Sequence, residues 1–116
     1  MNYIKHLTAI YEKFAEDDRL NPSHVSLYMA LFQFWNLNRF RNPIFIARGE
    51  VMKLSKIASN KTYLKGLREL GQWGYIRYFP SRNPMKGSQV EMCNFYISTI
   101  QVVNKHYTSA TPFYKQ

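Results

Sequence analysis

Asn60, Lys61, Leu64, Lys65 and Arg68 recur at three- and four-residue intervals inside the stretch SNKTYLKGLRELGQWGYI, residues 59–76. On an α-helix that spacing gathers them on one face. Amide, ammonium and guanidinium groups are the donors that read base edges in the major groove of a duplex and neutralise its phosphates. Leu64 among them either touches a thymine methyl group or forms a rim contact of the core. Lys53 and Lys56 lie just upstream, placed for the phosphate backbone. Arg77, Arg82 and Lys86 lie downstream, placed for phosphates or the minor groove.

The charge is segregated. Residues 39–88 hold Arg39, Arg41, Arg48, Lys53, Lys56, Lys61, Lys65, Arg68, Arg77, Arg82 and Lys86 against only Glu50 and Glu69, which accounts for the whole formal net charge of +9. Such a localised field attracts a polyanion or an acidic membrane surface. Charge kept only for solubility needs no such segregation.

Other chemistries find no support. His6, His24 and His106 are dispersed, and no nucleophile motif or Cys–His cluster is present. Glu16-Asp17-Asp18 lacks a second cluster to complete a metal site. We therefore expect no enzyme activity, catalytic residue, cofactor, metal or small-molecule ligand. His24 reads as a first-turn polar residue. Aromatic residues make up 16% of the chain, which raises a stacking platform for single strands, but most, such as Phe32, Trp35 and Tyr63, occupy core-spaced positions. Tyr78 and Phe79 alternate on a strand, so at least one faces inward, and Trp73 reads as a cover over a hairpin. Cys93 is the only cysteine, which fits a reducing compartment. The N-terminal stretch is broken by Lys5, His6 and Glu12, and no apolar run reaches membrane length. A cytoplasmic protein without a membrane partner is expected.

The elements that must position these residues follow from periodicity. Ile4, Leu7, Ile10 or Tyr11, and Phe14 predict an amphipathic helix ending near residues 16–18. Asn21 and Pro22 predict the cap and first position of a second helix. Val25 to Trp35 is apolar nearly all round, so the first helix or a second subunit must help to cover it. IFIA reads as a short strand, and RGEVMKLSKI as a helix with Val51, Met52, Leu54 and Ile57 inward. Ser59 caps the basic helix. YIRYFPS and QVEMCNFYI make a β-hairpin around RNPMKG. Residues 98–116 read as a loose tail.

A helix, a turn, a basic helix and then a hairpin is the layout of a winged helix-turn-helix. Ser59, Thr62, Tyr63, Leu67, Leu70, Gly74 and Ile76 resemble the S-x-x-T-[VY]-x-x-x-L-x-x-L-x-x-x-G-[YLF]-I pattern of bacterial winged-helix DNA-binding domains. The likeness spans residues 21–97, and the whole sequence is similar to small regulators associated with bacterial mobile elements. The expected fold is α+β, mainly helical: a winged helix-turn-helix at 21–97 with an added N-terminal helix at 1–20. The resemblance implies sequence-specific binding of double-stranded DNA by a homodimer, as a transcriptional regulator or mobile-element accessory factor. Two other readings stay open: the DNA-binding part of a plasmid or mobile-element replication initiator, and a winged-helix protein–protein interaction module. Gly66 departs from good helix formers and predicts a close approach by a neighbouring backbone.

Overall fold

Asn21 is extended and its side chain accepts the His24 N–H at 3.2 Å, while the His24 ring accepts the Asn21 N–H through Nδ1 at 3.0 Å. This reciprocal cap starts a helix, with Pro22 at the first helical position where its missing N–H costs nothing. The computed structural model describes residues 2–82 and 87–95. The described chain is α+β and mainly helical. Its elements run α1 (Tyr3–Glu16), α2 (Pro22–Leu37), β1 (Ile44–Ile46), α3 (Arg48–Ser55), α4 (Asn60–Gln72), β2 (Ile76–Phe79) and β3 (Ser88–Met92). The strands form one antiparallel sheet in the order β1-β3-β2. The expected tail at 98–116 and Lys86 lie outside the described residues.

Two units divide the chain. Asp17–Cys93 is one, and α1 belongs to the other together with Asn94 and Phe95. On α1 the buried positions are His6, Ala9 and Ile10, while Ile4 and Tyr11 are exposed. The expected stripe is therefore displaced around the helix. Phe95 marks the covered face: its ring lies 6.0 Å from that of His6, and the Lys13 ammonium is 5.1 Å from its centre.

In the larger unit, α2 is the central element. From Val25 to Trp35 only Gln33 is exposed. Helices α3 and α4 and strand β1 pack against it. Leu27, Leu31, Val51, Leu67, Leu70, Tyr75, Ile76 and Val90 are fully buried and form the core. A Cβ on Gly66 would lie 2.8 Å from the Leu27 Cδ2. The close approach there is to a buried side chain, not to the backbone that the sequence suggested.

Helix α3 also departs from expectation. Val51 and Ser55 face inward, and Leu54 is exposed. The helix is only eight residues long and is held by the Ser26 hydroxyl donating to the Ser55 carbonyl, which aims the 51/55 stripe, not Leu54, at the core. Two glycines make the tight connections. Gly74 takes φ +85° between α4 and β2, and a Cβ on Gly87 (φ +65°) would sit 2.7 Å from the Ile46 carbonyl oxygen.

Candidate nucleic-acid interface

Ser59 is extended and accepts the Thr62 N–H at 3.2 Å, so the basic helix begins where its sequence says it should. Tyr63, Gly66, Leu67 and Leu70 form its buried stripe. Asn60, Lys61, Lys65 and Arg68 are exposed and Leu64 is half-buried. Burial pushes the Tyr63 hydroxyl up to about 12, so it stays a neutral wall group.

The structure splits the outward face in two. Lys61 and Lys65 line a shallow recess with Asn21, Ser23 and Glu69, beside the start of α2. Leu64 and Arg68 line an open cleft of about 1290 Å³ between α4 and the β2–β3 pair, together with Arg48, Tyr78 and Arg82. Arg48, counted in the basic segment but not singled out as a contact, is the first residue of α3 and shares no helical stripe with the α4 residues. Its position at the start of a helix, one residue beyond a strand, was the available signal.

Lys53 and Lys56 are exposed on and just after α3. Lys56 ends that helix in the left-handed region, at φ 62°. On β2, Arg77 faces Glu91 across the ladder, with Nη1 3.3 Å from the carboxylate, and its guanidinium lies 5.6 Å from the Phe79 ring centre. Arg77 therefore spends part of its charge within the sheet, whereas no ion pair is formed by Arg82, Lys53, Lys61, Lys65 or Arg68 among the described residues.

What holds α4 against α2 was not anticipated. His24 is buried, and its Nε2 lies 2.9 Å from Glu69 on α4. Since Nδ1 accepts from Asn21, the ring carries its proton on Nε2 and donates it to the carboxylate. Trp73 packs on this pair, 4.9 Å between ring centres, with the Arg19 guanidinium 4.8 Å from its own ring. It covers this junction. Asp17 completes the support: it accepts from Arg19 through both carboxylate oxygens at 2.8 Å and from the Tyr75 hydroxyl at 2.8 Å. Arg19, and then Tyr75, hold its carboxyl well below the usual range. Burial, and the proton it donates to Asp17, push the Tyr75 hydroxyl up. The acidic run that raised a metal site is thus an anchor for the chain between α1 and α2, and no group of three metal-ligating side chains occurs among the described residues.

No helix among the described residues is long and apolar enough to cross a membrane. No family model, curated protein or solved structure matches the chain.

Proposed function

We propose that the protein binds double-stranded DNA sequence-specifically as a winged helix-turn-helix, with α4 as the recognition helix and the β2–β3 hairpin as the wing. It acts in this reading as a transcriptional regulator or an accessory factor of a mobile element. One observation carries it: α4 buries one stripe completely and leaves Asn60, Lys61, Lys65 and Arg68 in water beside a cleft rimmed by Arg48, Arg68 and Arg82. A helix of this kind fits the major groove. With the wing over the adjoining minor groove, the phosphodiester strand between the two grooves runs along that cleft, where guanidinium groups meet phosphate oxygens.

Roles divide accordingly. Asn60, Lys61, Lys65 and Arg68 read bases or flanking phosphates, and Leu64 meets a thymine methyl. Lys53, Lys56, Arg77, Arg82 and Lys86 hold the backbone. Self-association rests on α1, whose Tyr3, Ile4 and Tyr11 are exposed, whereas α2 exposes only Gln33 between Val25 and Trp35.

Selection from a random duplex library tests the reading. An enriched motif is expected. Absence of enrichment, with no duplex binding at about 0.1 M salt where a protein with several phosphate contacts still binds, transfers the basic face to an acidic protein partner instead.

A further inference from the structure

Around α3 and α4 the exposed cations are of both types, Lys53, Lys56, Lys61 and Lys65 with Arg68. The segments that form or border the sheet carry Arg39, Arg41, Arg48, Arg77 and Arg82, all exposed, and no lysine among the described residues. Lysine is a strongly hydrated point charge suited to a phosphate. Arginine is planar and weakly hydrated, and stacks on flat π faces.

The same sheet leaves two phenylalanines in water. The ladder sets Phe45, Gln89 and Phe79 side by side across β1, β3 and β2, so all three project from one face. Ile44, Val90 and Tyr78 project from the other, toward the core. Phe45 is 68% exposed and Phe79 41%, whereas the other described phenylalanines are buried or half-buried. Two strand spacings, about 10 Å, separate the two positions, so neither ring can cover the other. Arg77 already rests against Phe79, at 5.6 Å.

We propose that this outer face of the sheet is a stacking platform for single-stranded nucleic acid. Phe45 and Phe79 each take one base. Gln89 between them offers a donor and an acceptor to a base edge, and the surrounding arginines neutralise the phosphates. Duplex DNA cannot use the rings, because its base faces are already stacked. An apolar protein partner would use the rings but has no call for five guanidinium groups with only Glu50 and Glu91 in the same segments. A strand with free base faces satisfies both features. The arginines serve either nucleic acid, but a duplex offers the rings no free base face, so the phenylalanine variants tell the two proposals apart.

Fluorescence anisotropy with labelled oligo(dT) and oligo(U) of about 15 nucleotides, a length suited to such platforms, tests this beside a labelled duplex. Phe45→Ala and Phe79→Ala should each weaken single-strand binding about tenfold and leave duplex binding and the melting temperature unchanged. Phe→Tyr at either position should bind as wild type, because a ring is kept, and Phe→Leu should behave like alanine. A loss in either the dT or the U arm supports the platform and names its nucleic acid. Three results overturn it: wild type fails to bind either oligomer, the leucine variants bind as wild type, or the double alanine variant dissociates a dimer while single-strand binding is untouched. The last would make this face an interface between copies.

Discussion

Lys56 ends α3 at φ 62°, where the Cβ of an L-residue crowds the following carbonyl oxygen at a cost of about 1–2 kcal/mol. Glycine would escape that crowding at some loss of unfolded-state entropy. Lys56→Gly should therefore stabilise the fold by about 0.5–1 kcal/mol in urea melts, while weakening duplex binding through the lost charge. Lys65 and Arg68 pose the complementary case, because both are exposed and neither supports the core. Replacing each by alanine should change stability by no more than about 0.5 kcal/mol. Duplex affinity should fall by about 1–3 kcal/mol where a base contact is lost, and the log–log salt slope should flatten by about one for each phosphate contact removed. Titrations at several salt concentrations measure both, and unchanged affinity would remove α4 from the binding surface.

At the scale of elements, the junction of α2 and α4 decides how the basic helix is presented. His24 serves as half of the α2 cap, as donor to Glu69 and as packing surface for Trp73. His24→Ala should cost about 2–3 kcal/mol in chemical denaturation, more than an ordinary cap, because two hydrogen bonds and a ring contact go together. Leu67→Ala empties a fully buried site in the same junction and should cost about 2–5 kcal/mol. Gly66 supplies a subtler readout. Alanine there gains about 1 kcal/mol of helix propensity elsewhere, yet here its Cβ meets Leu27 at 2.8 Å. Gly66→Ala should show no such gain.

For the molecule as a whole, acid should act on the two units in different pH windows. Burial lowers His6, in the unit that contains α1, from 6.5 to about 4. Between those values the unfolded chain takes up a proton that the folded chain refuses, so stability falls as pH drops from about 6.5 to about 4 and then levels off. Asp17, in the larger unit, works below this range. Its carboxyl is depressed by Arg19 and Tyr75, so its stabilisation is present above the ordinary 3.8 and is lost only on further acidification. Hydrogen exchange of α1 amides across pH 7 to 4 should show the first loss, and His6→Leu should abolish it. Sedimentation at tens of micromolar, a range matched to weak dimers, addresses the assembly. A dimer that Tyr3→Ser and Tyr11→Ser dissociate is expected, and a wild-type monomer would rule out self-association through α1.

Much of the architecture could be read from local chemistry. Asn21-Pro22 and Ser59 start helices wherever such residues precede an apolar period, because the cap hydrogen bond is made within a few residues of itself. Gly74 turns α4 into β2 for an equally local reason, and the buried stripe of α4 follows from a period of 3.6. Partners distant in sequence decided the rest. His24 meets Glu69 across 45 positions, and Tyr75 meets Asp17 across 58. No pattern within either segment announces such a bond, since only the packing of α2 on α4 brings the groups together. The same holds for Leu54, which an eight-residue helix turned outward because Val51 and Ser55 took the inward stripe, and for Trp73, drawn to His24 and Arg19. Phe45 and Phe79 show the limit most plainly. The sequence marks both as strand residues, but which face of a strand meets the core is set by register with β3, and register exists only once the sheet has formed.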